Sequence, residues 1–243
     1  MPLMTIAGLD LTLPTAALNL ALDEALLLEA EAGRGGEVLR LWEWPEPVVV
    51  LGAAGQVAVD VDQAACARDR VPIRRRASGG GTVLLGRGCL LFSLVLRLDR
   101  HPALRDINAS YRFILERLRA GLSPIAPTAV HAGISDLAIE GRKFSGNAQQ
   151  RKRTYLLHHG TLLYAVDLAA FDRYLRLPER QPDYRRGRAH AEFVTNLPTN
   201  AAVLKQLLRT EWEAGLALSV WPEDRTAELE RDKYGRDEWT MRR

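Results

Sequence analysis

Three short segments of this chain carry residue types that could act on an anionic ligand. They are residues 141–149 (GRKFSGNAQ), 75–81 (RRASGGG) and 158–163 (HHGTLL). Lys143 lies in the first segment, and it is one of only four lysines among 33 lysines and arginines. A lysine kept in a chain that otherwise uses arginine suggests a task for a compact, mobile ammonium rather than a flat guanidinium.

The glycine triplet of the second segment offers bare backbone to a ligand. Gly79, Gly80 and Gly81 lack Cβ atoms, so a ligand can lie against the main chain and accept its N–H groups. No Gly-Lys-Ser/Thr follows, which excludes a Walker A loop, and Leu84 stands where a dinucleotide-binding fingerprint needs glycine. The preceding Arg76 favours an anion-binding loop, and the alternative is a tight hairpin turn with surface arginines.

Strand alternation decides which polar side chains of the other two segments can act together. In a regular strand, Lys143, Ser145 and Asn147 would share one face and bring together a cation, a hydroxyl and an amide. The alternative for this segment is an ordinary exposed hairpin edge. His158 and His159 would point to opposite faces, so they cannot chelate one metal ion together.

The cysteines and one aspartate suggest further limits on the chemistry. Cys89 lies in an apolar run and Cys66 on a predicted helix, so neither is expected to be an activated nucleophile. Two cysteines make no disulfide framework, which is typical of a reducing cytoplasm. Asp136 precedes Lys143 at the start of a predicted strand, where it would cap a turn or bind Mg²⁺.

Composition and charge exclude several classes of protein. The longest apolar stretch, residues 89–96, is too short to span a bilayer, and no signal peptide is present in the sequence. The net charge of +3 and the arginine clusters would suit nucleic acid, but the aromatic residues that such a site needs are sparse beside them. We therefore expect a cytoplasmic protein that does not bind membranes and whose basic groups form solvated surface or an anion pocket, with nucleic-acid binding as the less favoured alternative.

The elements that must position these segments do not alternate regularly between helix and strand. This pattern favours an α+β fold with a mixed or antiparallel central sheet flanked by helices, in a single domain over residues 1–243. Residues 178–188, rich in proline and arginine, are predicted to be a loop. The predicted helices lie between Thr15 and Gly33 and over residues 61–70, 107–122, 200–217 and 226–232. The predicted strands are residues 37–44, 47–52, 89–97, 136–140, 143–148 and 156–164.

Taken in order, the segments resemble the lipoate–protein ligase A family, within the wider group of biotin and lipoate ligases. RRASGGGTV (residues 75–83) matches that family's RRxSGGGxV signature, and GRKFSGNAQ and HHGTLL are near-complete matches. Residues 135–137 (SDL) and 194–197 (VTNL) resemble two further family segments. The resemblance covers most of the chain and implies a biotin/lipoate ligase-like fold, related to class II synthetases.

The resemblance also implies an activity, its substrates and its partners. Family members activate lipoate with ATP and Mg²⁺ to lipoyl-AMP, then transfer the lipoyl group to a lysine of a lipoyl carrier domain or glycine cleavage H-like protein. The chain resembles the catalytic half of bipartite enzymes, so a separate accessory subunit is expected instead of an appended accessory domain. Lys143 would be the catalytic residue, and Asp136 would help to hold Mg²⁺. The residues implied to bind lipoate and the adenylate are Arg76, Ser78, Gly79, Gly80, Gly81, Thr82, Asp136, Gly146, Asn147, Ala148, His159, Gly160 and Thr161.

This chain departs from the family pattern at several positions, and a related activity remains as an alternative. Leu85-Gly86 replaces a His-Asp pair, Ser135 replaces asparagine, and residues 52–55 lack an arginine that the family carries there. An octanoyltransferase of the same fold would need a cysteine nucleophile shortly before the strand leading to Lys143. Residues 130–135 contain no cysteine, which disfavours thioester chemistry. A non-catalytic module that binds lipoyl groups or nucleic acid is the third alternative.

Overall fold

The computed structural model describes residues 5–242, and a mixed α+β architecture accounts for them. In these residues the strands are β1 (Ala7–Asp10), β2 (Val38–Glu43), β3 (Val48–Leu51), β4 (Ile73–Arg75), β5 (Val83–Leu85), β6 (Cys89–Arg97), β7 (Val130–Ala132), β8 (Asp136–Ile139), β9 (Arg142–Arg151), β10 (Tyr155–Leu163) and β11 (Leu216–Ala217). The α-helices are α1 (Ala16–Glu31), α2 (Val57–Asp60), α3 (Gln63–Asp69), α4 (Ile107–Gly121), α5 (Ala169–Tyr174), α6 (His190–Phe193), α7 (Ala201–Glu211), α8 (Glu223–Leu229) and α9 (Asp237–Thr240). Short 3₁₀ turns lie at Pro102–Arg105 and Asp183–Arg185, and a π-helical turn at Glu230–Tyr234.

A large mixed sheet forms the centre of the fold, as the sequence pattern predicted. Among the described residues it has eight strands in the order β11-β1-β2-β6-β10-β9-β8-β7. The pairs β11–β1 and β1–β2 are parallel, and the remaining neighbours are antiparallel. Strands β8, β9 and β10 form an antiparallel meander, which brings the segment around Lys143 beside the segment around His159.

A second sheet carries the glycine loop, which we define as residues 76–82. In the part of the chain that the structure describes, this sheet has three strands in the order β4-β3-β5, and the glycine loop connects β4 to β5. Val48, Val49 and Val50 are buried, as expected for a β-branched strand packed on both faces. A Cβ atom on Gly52 would collide with the carbonyl oxygen of Gly80, so the end of β3 supports the loop by close backbone contact.

Helices cover both faces of the large sheet. Helix α1 starts where the Thr15 hydroxyl accepts a hydrogen bond from the N–H of Leu18 (3.1 Å), which is the expected N-cap. It packs on one face together with the small sheet, and most of its residues are buried. Helices α4 and α7 pack on the opposite face around Leu115, Leu208 and Phe92.

Three helix predictions need correction. The helix predicted over residues 200–217 ends at Glu211, because Glu213 adopts a left-handed conformation (φ 52°) and the chain then joins the sheet edge as β11. The helix predicted over residues 61–70 starts at Gln63, since the Asp62 side chain caps it. The helix predicted over residues 226–232 starts at Glu223 and passes into the π-helical turn. None of the helices in the described ranges has the length and apolar character needed to cross a membrane.

Candidate functional site

Two adjoining cavities open between the large sheet and the small sheet. The inner cavity, of about 130 Å³, is lined mainly by apolar side chains, including Leu20, Trp42 and Phe92. The outer cavity, of about 740 Å³, is bordered by residues 178–185 of the arginine-rich loop. Lys143 lines both cavities, so its ammonium lies where the narrow inner cavity meets the wider outer one.

The ammonium of Lys143 is anchored at this junction but still accessible. Its Nζ lies 2.8 Å from Oδ1 of Asp136, and the side chain is 25% exposed. Tyr184 donates its hydroxyl to Oδ2 of the same carboxylate at 2.8 Å. Burial, and then the neighbouring Asp136 carboxylate, raise the pKa of Tyr184 far above its usual value, so the hydroxyl stays protonated as a donor. The loop over residues 178–188 thereby fixes the partner of Lys143.

The predicted grouping of Lys143, Ser145 and Asn147 on one face is wrong, because β9 contains a β-bulge. Ala138 pairs with Lys143 but Leu137 pairs with Ser145, which leaves Phe144 as an extra residue. Asn147 donates to Ser145 Oγ at 3.1 Å, whereas Lys143 lies over Gly146. A Cβ atom on Gly146 would come within 2.6 Å of Nζ, so the glycine makes the space that the ammonium occupies.

The glycine loop is held in shape by the guanidinium of Arg76. It donates to the carbonyl oxygens of Gly79 (2.6 Å) and Gly81 (2.8 Å), and its Nε donates to Ser78 Oγ (3.0 Å). Burial lowers the pKa of Arg76 to about 10. Within residues 5–242 its hydrogen-bond acceptors are a hydroxyl and backbone carbonyls. No carboxylate neutralises it there, so its charge favours an anion in the inner cavity, which it lines.

His159 connects the glycine loop to helix α1. Its Nε2 lies 2.5 Å from Ser78 Oγ, and its Nδ1 lies 3.4 Å from Oδ2 of Asp23. Burial alone would raise the pKa of Asp23, but Arg40 at 2.6 Å and His159 hold it below its usual value. The serine is buried and already accepts a hydrogen bond from Arg76. We therefore interpret the Ser–His–Asp arrangement as a support for the loop rather than a nucleophilic triad.

His158 points to the opposite face of β10 from His159, as strand alternation predicted. Gln149 Nε2 lies 3.1 Å from its Nδ1, and Asn147 Oδ1 lies 3.2 Å from its Nε2. Burial lowers the pKa of His158 to about 3, so the ring is neutral and structural. Among the described residues no three His, Cys, Asp or Glu side chains are grouped to hold a metal ion.

Most of the sequence-predicted site residues converge on one place. Ser78 and Gly79 belong to the glycine loop but line neither cavity, and they contact His159 and Arg76 instead. Asp136 lines the outer cavity. The predicted residues that line the inner cavity are Arg76, Gly80, Gly81, Thr82, Lys143, Gly146, Asn147, Ala148, His159, Gly160 and Thr161.

Sequence reasoning missed Asp23, Trp42 and Tyr184 as parts of the site. Asp23 lies in the apolar, almost fully buried helix α1, and a charged residue in such a helix was the available signal. Trp42 resembled any other core residue of a buried strand. Tyr184 was the one aromatic residue within the arginine-rich loop, but no local pattern indicated its contact with Asp136.

Neither cysteine takes part in the site. Cys89 is fully buried in the core, where burial raises the pKa of its thiol to about 12. Cys66 is buried on α3, and burial raises the pKa of its thiol as well. Neither residue lines the inner or the outer cavity. The prediction that both cysteines are inert therefore fits the geometry.

Comparison with known proteins identifies the family. Residues 15–208 match the Lipoyl protein ligase A/B catalytic domain family. Octanoyltransferase LipM of Kyrpidia tusciae is 28% identical, over 94% of this chain and 96% of its own length. A bipartite lipoate protein ligase from Thermoplasma acidophilum, solved as part of a lipoylation system with its E2 lipoyl domain, has the same fold. The TM-score is 0.84, and the two chains are 23% identical over 98% of this chain and 96% of the ligase. A lipoate-protein ligase A bound with ATP gives a TM-score of 0.82 and 23% identity over 98% and 99% of the two chains. The chain belongs to the Lipoyl protein ligase A/B catalytic domain family.

Proposed function

We propose that this protein is an ATP-dependent lipoate–protein ligase. The carboxylate of lipoate attacks the α-phosphorus of ATP, which forms lipoyl-AMP and releases pyrophosphate. The ε-amine of an acceptor lysine then attacks the lipoyl carbonyl, and AMP leaves as the amide forms. The acceptor is a lipoyl carrier domain, in line with the E2 lipoyl domain that accompanies the Thermoplasma acidophilum ligase.

The shape and charge of the two cavities support this reaction. The apolar inner cavity suits the aliphatic chain and dithiolane ring of lipoate, with the carboxylate at Lys143. The outer cavity, bordered by Arg180 and Arg185, has the volume and charge for a nucleotide. Negative charge grows on the phosphate oxygens in the transition state, and the Lys143 ammonium, the Arg76 guanidinium and the glycine-loop N–H groups are available to stabilise it.

The observation that carries the choice of ligase over transferase is that neither cavity is lined by a cysteine. A transferase that passes the acyl group from a carrier protein through a thioester needs a reactive thiolate beside the acyl carbonyl. Cys66 and Cys89 are buried elsewhere, and burial disfavours their thiolate forms. Activation by ATP needs no covalent nucleophile from the protein.

Octanoyl transfer is the second candidate, because the LipM relative matches nearly the full length of this chain. In that reaction octanoate would move from a carrier-protein thioester to the acceptor lysine without ATP. The observation in its favour is sequence similarity over the whole catalytic region. The missing cysteine counts against it.

Magnesium would bind together with ATP rather than at a preformed site on the protein. Both oxygens of Asp136 already accept from donors, Lys143 Nζ at 2.8 Å and the Tyr184 hydroxyl at 2.8 Å. A metal at Asp136 would have to share a carboxylate oxygen with one of these donors. The role of Asp136 as a Mg²⁺ ligand therefore stays a prediction, and phosphate and water oxygens would supply most of the ligands.

The deciding experiment supplies the protein with an apo lipoyl domain and two alternative donors. We expect lipoylation, detected as a mass increase of the domain, with lipoate and MgATP, and pyrophosphate release with lipoate and MgATP alone. Each reaction is run with and without a candidate accessory protein. Acylation from octanoyl-carrier protein without ATP, together with no pyrophosphate release, would replace the ligase proposal by the transferase.

A further inference from the structure

Residues 230–242 lie beside the glycine loop without reaching either cavity. This 230–242 segment comprises the π-helical turn Glu230–Tyr234, the short helix α9 and the residues that follow it. None of its described residues lines the inner or outer cavity. Its polar contacts nevertheless converge on the two backbone stretches that support the loop.

The first set of contacts passes through Arg75, which is fully buried. Its guanidinium donates to the carbonyl oxygen of Thr240 at 2.7 Å, and its backbone carbonyl accepts from the Trp239 indole N–H at 2.8 Å. The same guanidinium donates to the carbonyl oxygens of Gly52 at 3.0 Å and Gly55 at 2.7 Å. Arg75 thus joins the 230–242 segment to the turn over residues 52–55.

The turn over residues 52–55 also holds the glycine loop in place. The N–H of Ala53 donates to the carbonyl oxygen of Ser78 at 2.8 Å. Gly52 lies so close to Gly80 that a side chain at this position would collide with its carbonyl oxygen. A shift of the turn would therefore move the loop whose backbone lines the inner cavity.

The second set of contacts passes through Tyr234, which is 2% exposed. Its hydroxyl donates to Glu24 Oε2 at 2.8 Å, and Lys233 Nζ lies 2.6 Å from the same oxygen. Glu24 follows Asp23, which supports His159 from α1. Tyr234 therefore joins the 230–242 segment to the part of α1 that carries Asp23.

We propose that the 230–242 segment positions the glycine loop for ligand binding, with Tyr234 and Trp239 as its positioning residues. The segment acts on the ligand through the loop and does not touch it. The effect on lipoate binding rests on the proposed function, because it takes the inner cavity as the acyl site. The effect on the loop itself needs no ligand and is independent of whether the protein is a ligase or a transferase.

Tyr234→Phe and Trp239→Phe test the two sets of contacts separately. Each removes one hydrogen-bond donor and keeps an aromatic ring. Tyr174→Phe is the matched control, because it removes a hydroxyl that donates to a carboxylate, Asp69 at 3.1 Å, away from the loop. Hydrogen exchange followed by mass spectrometry reports on peptides covering residues 76–85, and calorimetry with lipoate alone reports the Kd.

We expect amide exchange in residues 76–85 to accelerate by about tenfold in both test variants and the Kd for lipoate to rise by about tenfold, as the loss of a buried hydrogen bond would produce. Exchange in α4 and β6 should stay unchanged, as should every readout in Tyr174→Phe. Unchanged exchange over residues 76–85 in the folded variants would overturn the proposal. Faster exchange with an unchanged Kd would overturn the link between the loop position and lipoate binding. Faster exchange spread over the whole chain would show that the segment stabilises the entire fold and does not position the loop, which would also overturn the proposal.

Discussion

Replacing Lys143 by alanine should abolish most of the adenylation rate while leaving the fold intact. A unit charge about 4 Å from a phosphate oxygen is worth about 4 kcal/mol at an effective dielectric constant of about 20. The side chain is 25% exposed, so solvent screening reduces this figure to about 3 kcal/mol, or roughly a 150-fold loss of rate. The Lys143–Asp136 pair itself contributes only about 1 kcal/mol or less to stability, and Asp136 keeps the Tyr184 hydroxyl as a partner.

Lys205→Ala provides the matched control for this prediction. Lys205 forms a similar ion pair, with Nζ 2.9 Å from Asp10 Oδ1 and a side chain 21% exposed, but it lies outside both cavities. Pyrophosphate release is measured for both variants at saturating lipoate and MgATP, with thermal unfolding to compare their stabilities. We expect similar melting temperatures, a rate near wild type for Lys205→Ala, and a loss confined to Lys143→Ala.

The charge argument can fail in two recognisable ways. If Lys143→Ala kept more than about a third of the wild-type rate, an interaction below 1 kcal/mol would remain, and the electrostatic role would be refuted. If both lysine variants lost activity equally, the loss would report on the fold and not on the site. Lys143→Arg restores the charge, but a flat guanidinium differs in size and shape from the compact ammonium that lies over Gly146, so we expect little rescue.

Three further predictions follow from the same geometry. Gly146→Ala should fold normally, because the new Cβ meets only the flexible end of Lys143. Displacement of the ammonium should slow pyrophosphate release by about 10- to 100-fold, and a wild-type rate would show that Lys143 does not need this position. The native state keeps His158 neutral down to pH about 3, whereas the usual pKa is 6.5, so the free energy of unfolding should fall as the pH drops from 6.5 toward 3, by up to about 1.4 kcal/mol per pH unit. His158→Gln should flatten that slope in urea titrations, and an equal slope in both proteins would contradict a neutral buried ring. The double variant Cys66→Ser, Cys89→Ala should cost about 1 kcal/mol per site in urea unfolding yet keep its ATP-dependent activity; loss of acylation by a folded double variant would favour a thiol mechanism.

Much of the fold could be predicted because its local signals agree. Thr15 starts α1 as an N-cap, and the run Cys89–Arg97 forms a strand with the predicted bounds. The meander from β8 to β10 follows from alternating segments separated by short turns. Where local signals were outweighed, the cause was tertiary: the predicted helix over residues 200–217 yields to a sheet edge that Leu216 and Ala217 complete.

The sequence by itself determined which residue types line the inner cavity: an ammonium, a glycine loop with its arginine, and a histidine on a strand. Only the tertiary structure decided how they are oriented. The bulge at Phe144 separates Lys143 from Ser145, and the Arg76 guanidinium, which could have faced solvent, turns inward to hold the loop. The contacts of His159 with Asp23 and of Tyr184 with Asp136 join residues far apart in the chain. Such contacts depend on strand register and packing, which no local period specifies, because burial of the whole core selects them together.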